Sequence, residues 1–390
     1  MKEYNLDLDI QAGEQADEVI DLLIEKVTAA YPPERLRRIE ARSEATWKNT
    51  RSYTDRISYV GVSYAVPSDP QIPEDASDVQ RDMIEQLKFM LYNAAVDDEF
   101  YPAFSSGLEQ VTIPSMFGCV KEIISGSDYV KPIINSPDDV YSLPEIDIRK
   151  GYICHDILSR MAYKYRRAGG RIPLYMTDIQ GPFSCAAQMW GIQDFLCDLE
   201  EYPNQAHHLL SLCTDAIIQY FDAMYDVTEG NLVPIHCMPY IWVPKDCGVA
   251  VSDDFMAIVG AETVRDYSAP YMDIIGERFG GITTHSCGNI NHVASVLNEM
   301  KTIKALNFSA TETDLTKYAN ENDPKIMLIV HAGGLSIGGL PLLNVEELIQ
   351  HCAYTHKTTD SSVFALSLWT DKPADEVNCK LWEDAARIIG

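Results

Sequence analysis

The feature that most constrains this chain is an alternation. Short apolar runs rich in β-branched residues are each followed by a longer stretch with helical spacing. Candidate strands occupy 57–64, 110–114, 172–177, 232–237, 281–285, 303–308, 326–330 and 363–366. Helical patterns occupy 151–167, 203–227, 261–279, 291–300, 345–355 and 374–388. Strands separated by crossover helices predict a parallel α/β sheet. Eight candidate strands favour a closed (β/α)8 TIM barrel over an open doubly wound sheet. The absence of a Gly-rich dinucleotide fingerprint after any strand points the same way.

Ahead of this alternation, 17–30 carries Val19, Leu22, Leu23, Val27 and Ala30 on one helical face, and Pro32-Pro33 stops it. A charged stretch, 34–56, follows, and a further helix fits 77–96. The expected organisation is an N-terminal helical extension over 1–55 and a barrel over 56–390. Composition narrows the partners. The 390 residues carry 58 acidic and 31 basic side chains, a formal net charge of −27. Nucleic-acid affinity comes largely from phosphate neutralisation by basic groups, so a nucleic-acid binder is excluded. An anionic membrane surface would repel the chain. No run of roughly 18 or more apolar residues marks a membrane span, and the start of the chain is acidic and polar. None of the ten cysteines forms a C-x-x-C pair, and they are too sparse for a disulfide scaffold. A cytoplasmic location is expected.

In a barrel, chemistry sits at the carboxyl ends of strands. Three candidate strand ends are rich in metal-ligand types: Thr284-His285-Ser286-Cys287-Gly288-Asn289, Pro234-Ile235-His236-Cys237, and Ile329-Val330-His331 before Gly333-Gly334. Residues two apart in extended chain share a face, so His285 and Cys287 present imidazole and thiolate to one point. Zinc accepts nitrogen and sulfur together, and a catalytic site has three protein ligands and an open fourth position. A lone H-x-C is also compatible with a hydrogen-bonded core histidine beside an inert cysteine.

The stretch 177–191, which contains Gly181-Pro182-Phe183 and ends Trp190-Gly191, resembles the G-P…G segment of the uroporphyrinogen decarboxylase superfamily. Val251-Ser-Asp-Asp-Phe-Met256 with Ala269-Pro270-Tyr271 is similar to that family's S-P-x-x-F…P-Y helix. His285-Ser-Cys-Gly-Asn289 is similar to the H-x-C-G-N of its cobalamin-linked methyltransferases. The order and spacing of these segments run over roughly residues 100 to 390. The resemblance implies a (β/α)8 barrel with a helical extension. True decarboxylases of the family bind a polyanionic tetrapyrrole through an R-Q-A-G-R-Y motif and use an aspartate in an S-D-I-L-like segment. Neither is present here, and a strongly acidic chain suits such a substrate poorly.

The other branch moves methyl groups between small donors, a corrinoid protein, and a thiol or pterin. In its thiol-methylating members zinc is held by the H-x-C pair and a distant cysteine near the last strand. The corresponding stretch here, 364–373, has no cysteine. Cys247, in the loop expected to follow the preceding strand, is the substitute ligand, because neighbouring strand ends lie about 5 Å apart. The expected metal set is therefore His285, Cys287 and Cys247. His236, Asp246 and His331 are the expected catalytic groups. Met238, Tyr240, Trp242 and Asn289 are the expected substrate-pocket residues, although aromatic residues after a strand also serve as packing. The resemblance implies zinc, a corrinoid carried by a partner protein, and a small methylated substrate such as an aryl methyl ether (O-demethylation), a methylamine or methanol. It admits a homodimer. A decarboxylase-like lyase, a methylcobalamin:thiol or pterin methyltransferase, and a non-catalytic ligand-holding barrel are the alternatives.

Overall fold

The computed structural model describes residues 12–48, 58–64, 66–107, 110–124, 126–148, 150–236, 240–333 and 339–369. Two helices, α1 (Glu14–Ala30) and α2 (Pro33–Trp47), precede the first strand, β1 (Ser58–Ser63). Helix α1 buries Ile20, Leu23, Ile24 and Val27; of the expected face Leu23 and Val27 lie inside, Val19 and Ala30 are half-buried, and Leu22 points outward. Pro32-Pro33 does more than stop it. Pro33 is the first residue of α2, where a fixed φ and a missing N–H suit a helix start, so much of the charged stretch is helical. That helix is docked by polar contacts. Arg42 Nε lies 2.8 Å from the buried Glu99 carboxylate, and Ser43 Oγ donates to the Trp242 carbonyl at 2.7 Å.

Next come α3 (Asp78–Asn93), the short α4 (Thr112–Met116), and a hairpin of β2 (Lys121–Ile124) and β3 (Ser127–Val130). After α5 (Ile153–Arg167) the chain alternates through β4 (Leu174–Met176), α6 (Pro182–Trp190), α7 (Ile192–Asp198), α8 (Pro203–Val227), β5 (Leu232–His236) and β6 (Val249–Ser252). It continues through α9 (Ala261–Thr263), a π-helical turn (Val264–Ser268), α10 (Ala269–Phe279), β7 (Ile282–His285) and α11 (Ala294–Glu299). It ends with β8 (Ile303–Ser309), α12 (Leu315–Glu321), β9 (Met327–His331), α13 (Val345–Thr358) and β10 (Val363–Trp369). The helical pattern at 374–388 lies outside the described residues. No helix among the described residues is long and apolar enough to cross a membrane.

The fold is a parallel α/β fold of TIM-barrel type. Six strands form one parallel sheet in the order β1-β10-β9-β8-β7-β6, and β4 and β5 form a parallel pair. Single bridges continue the arrangement: Gln180, just past β4, pairs with Ser252, and Phe104 pairs with Leu174. Among the described residues the ladders therefore pass between the sheet and the pair by bridges, not as an unbroken ring. These strands are buried along most of their length, as expected for a sheet with helices packed outside it; Lys304 and the strand-end residues His285 and His331 are half-buried.

Two strand assignments change. The run 110–114 forms the start of α4 instead of a strand, and the segment at Phe104 takes the place beside β4. A short apolar run without clear periodicity fits either state, and tertiary packing decides. Strand β6 was not expected: Val249-Ala-Val-Ser252 is four buried residues long, and its pairing to β7 defines it.

Candidate metal centre

Because the strands are parallel, their carboxyl ends meet on one side, and this is where the histidines gather. His236 is the last residue of β5, His285 of β7 and His331 of β9. Register sets their heights. Ser252 on β6 pairs with His285, His285 pairs with Asn307 on β8, and Ser309 pairs with His331. The His285 ring centroid lies 5.9 Å from that of His236 and 6.1 Å from that of His331.

His285 and Cys287 converge as their spacing predicts. Nε2 of His285 is 3.3 Å from Sγ of Cys287, and Nδ1 is 2.7 Å from Oδ1 of Asn307. The third member is Asp254, in the turn after β6. Its Oδ1 accepts the Cys287 backbone N–H at 2.8 Å and lies 4.0 Å from His285 Nε2, while its Oδ2 accepts from Gln180 Nε2 at 2.9 Å. One ligand atom from each of Asp254, His285 and Cys287 lies within 4.8 Å of the others. Oxygen, nitrogen and sulfur donors thus face one point, a set zinc accepts.

Electrostatics follow from burial and from a ring of carboxylates. Cys287 is exposed, but partial desolvation, reinforced by Asp254, Glu312 and Asp178, pushes its thiol up to about 12. Glu312 is held there by the Gly288 N–H at 2.8 Å, and Asp178 by the Ser252 hydroxyl at 2.6 Å. His331 is driven down to about 3, by burial first and then by its two histidine neighbours. Burial also lowers His236, which is 2% exposed and whose two ring nitrogens have no hydrogen-bond partner among the described residues. Neutral imidazoles keep a lone pair for a ligand or an N–H for a substrate heteroatom.

The remaining expectations divide. Cys247 does not join His285 and Cys287. It ends a 3-10 turn (Lys245–Cys247) that comes before β6, so it lies at the amino end of the strand while Asp254 lies beyond the carboxyl end. The strand's length, at about 3.3 Å per residue, separates it from the site by roughly 10 Å. The charges acting on it are those of Asp246, Lys304, Lys48 and Glu44, and burial pushes its thiol up to about 12. Asp246 belongs to the same turn and is likewise removed from the histidines. Tyr240, with φ of 49°, stacks on Phe100 at 5.6 Å and meets Phe89 at 5.2 Å, so it is built into an aromatic cluster. The Trp242 carbonyl accepts from Ser43 Oγ and Trp47 Nε1, which ties that loop to α2. Asn289 is exposed, and its Oδ1 accepts the Asn291 N–H at 3.0 Å in a local turn. Met238 lies outside the described residues. Of the other thiols, Cys119, Cys154, Cys185, Cys213 and Cys352 are buried, and Cys197 is exposed.

Sequence reasoning missed Asp254 and Asn307. Asp254 stands inside the Val251–Met256 stretch, but reading that stretch as a helix hid the strand that aims it. Asn307 belongs to no motif and is found only through register.

Comparison with known proteins bears on the family. The family model described as uroporphyrinogen decarboxylase (URO-D) matches residues 106–230, which include the Gly181-Pro182-Phe183 segment but not His285 or Cys287. No curated protein matches the sequence. Among solved structures, a methyltransferase from Methanosarcina mazei superposes with a TM-score of 0.61 at 14% identity, over 90% of this chain and 98% of that one. The sequence match bears out the resemblance to the uroporphyrinogen decarboxylase family over residues 106–230, and the solved structure shows a shared fold over nine-tenths of the chain.

Proposed function

We propose that this protein is a methyltransferase that moves a methyl group between a small methylated donor and the cobalt of a corrinoid held by a partner protein. The observation that carries the reading is the convergence of Asp254, His285 and Cys287, three different donor types within 4.8 Å at the carboxyl ends of a TIM-barrel-type sheet. The fold shared with a methyltransferase from Methanosarcina mazei supports it. Asp254 takes the third-ligand place expected of Cys247.

Zinc held by these residues would supply Lewis acidity toward the heteroatom that carries the methyl group. The protein's own part is to hold the donor and exclude water. The Cys287 thiol must lose its proton to bind metal, because a thiol near 12 is protonated at neutral pH. His236 and His331, kept neutral by burial, face the donor without adding positive charge. In the forward direction the bond between methyl carbon and heteroatom breaks, its electron pair stays on the heteroatom, and the heteroatom takes up a proton. A partner's corrinoid, when bound, would supply the cobalt(I) electron pair for the new bond to the methyl carbon. A corrinoid-carrying partner would have to dock over the mouth formed by the strand ends, because the transfer needs the methyl acceptor within reach of the methyl carbon.

The decarboxylase alternative stands behind this reading, because Asp254, Glu312 and Asp178 all bear on the centre and would repel a polycarboxylate. The test is metal analysis of the purified protein and of Cys287→Ala, followed by methyl transfer to reduced cobalamin from aryl methyl ethers, methylamines and methanol. Stoichiometric zinc, lost in the variant, together with methylcobalamin formation, supports the proposal. A wild type without zinc overturns the metal-assisted mechanism. Zinc without transfer from any donor moves the assignment to the thiol- or pterin-methylating half-reaction.

A further inference from the structure

Asn307 lies between two of the site histidines, in the middle of three adjacent strands. It is 2% exposed, sits on β8, pairs with His285 of β7 and has β9 on its other side. Its amide orientation is not free. Nδ2 donates to the Ile329 carbonyl of β9 at 2.9 Å, a position that an amide oxygen could not occupy without facing another oxygen. The amide oxygen is therefore the atom 2.7 Å from His285 Nδ1. An oxygen acceptor at that distance requires hydrogen on Nδ1, and a neutral imidazole has only one. Nε2 of His285 is left with its lone pair, on the side of Cys287 Sγ at 3.3 Å.

The same amide faces the other histidine with its nitrogen. Nδ2 of Asn307 lies 3.5 Å from Nδ1 of His331, a long contact, but one that favours a lone pair on Nδ1 over two N–H groups face to face. Nδ1 of His331 then carries the lone pair, and the ring's hydrogen is on Nε2. We propose that Asn307 is a positioning residue that fixes the two histidines in opposite tautomers, His285 as Nδ1–H with a ligating Nε2 and His331 as an Nε2–H donor. One side chain thereby divides the labour of the site. One imidazole offers a lone pair to an electrophile, and the other offers a neutral N–H to a substrate heteroatom. A partner on the far ring nitrogen commonly sets which nitrogen of a metal-ligating histidine is available.

The tautomer assignment stands on the hydrogen bonds alone. Its consequence for metal binding rests on the proposed function, and the experiment separates the two. Full-length protein labelled with 15N-histidine and freed of metal by chelation is examined by long-range 1H–15N correlation at neutral pH. His285 and His331 signals are identified by their loss in His285→Gln and His331→Gln. The expected result is the Nδ1–H form for His285 and the Nε2–H form for His331. In Asn307→Asp, whose side chain accepts on both sides, His285 keeps its form and His331 switches to Nδ1–H. If that variant does not fold, the wild-type spectrum still decides: His285 in the Nε2–H form, or both rings in one form, overturns the inference. Zinc titration of Asn307→Leu is the second arm, with an affinity loss of about 10–100-fold expected. The expected tautomers in a protein that binds no zinc would leave this inference standing and remove the metal-assisted reading.

Discussion

Oδ1 of Asp254 accepts the backbone N–H of Cys287 at 2.8 Å, so a carboxylate from the turn after one strand is fixed beside the thiol of the next. The contact orients the carboxylate and also raises the thiol, because a negative charge disfavours a neighbouring thiolate. The two effects are separable. In metal-free protein, Asp254→Asn removes the charge and keeps an acceptor for the N–H. The Cys287 alkylation profile should then move to lower pH, while zinc affinity falls because a neutral amide oxygen replaces the anionic carboxylate. An alkylation profile identical to the wild type would show that Asp254 exerts no field on the thiol.

Cys247 and Cys287 should respond in opposite ways to the same substitution. Cys287→Ser is expected to lose bound zinc, and Cys247→Ser to retain it at wild-type stoichiometry, because Cys247 lies at the amino end of β6. Metal content after gel filtration reads the difference. Loss of zinc in the Cys247 variant alone would return that residue to the ligand set.

Legibility followed the range of the interaction. His285 and Cys287 were readable because two-residue spacing in extended chain is local, and the structure gives 3.3 Å between their donor atoms. His236 and His331 were readable as strand ends, since their runs have β-branched composition and the parallel fold puts those ends together. Asp254 was not, because what brings it to His285 is the pairing of Ser252 with His285, a register between segments. The same four-residue strand, unseen, placed Cys247 after a strand when it comes before one. Asn307 carries no local signature, and only its place on the middle of three strands gives it a role. The run 110–114 contains Pro114, and its residues 112–114 lie in α4 with a turn just before them, where packing overrode a weak β preference.

His331 should leave a signature in the pH dependence of stability. Folding lowers its pKa to about 3, against an ordinary histidine value of about 6.5, through burial and then through His285 and His236. Between those values the unfolded chain binds a proton that the folded chain refuses. Stability from this group is thus complete above about pH 6.5 and declines as the pH falls toward 3. Asp98 and Asp253, raised by burial to about 7 and about 6, act in the opposite sense over much of this range and mask it. Comparing metal-free wild type with His331→Gln cancels the aspartates. The variant should gain stability relative to wild type between pH 7 and pH 4, measured by urea unfolding. A difference that stays constant with pH would mean that His331 is not held neutral by its surroundings.

Gly248 links the backbone to the site. It has φ of +84°, and a Cβ placed on it would fall 1.7 Å from the Gly281 oxygen and 2.1 Å from its carbonyl carbon. Those atoms are backbone just ahead of β7, and the Val249 N–H donates to the same Gly281 carbonyl at 3.2 Å, so relief requires β6 to move off β7. Gly230 is the reference for a positive-φ glycine without a clash, since it has φ of +77° and an added methyl group would meet nothing within 4 Å. Gly230→Ala should cost about 1–2 kcal/mol, the penalty of a left-handed conformation. Gly248→Ala adds a backbone clash of about 1–3 kcal/mol and should cost about 2–5 kcal/mol in total. Because β6 carries the turn that holds Asp254, the refolded Gly248 variant should also bind zinc more weakly, with Gly230→Ala unchanged. Equal costs for the two substitutions, with equal zinc affinities, would mean that the close approach of Gly248 to β7 does not set the position of Asp254.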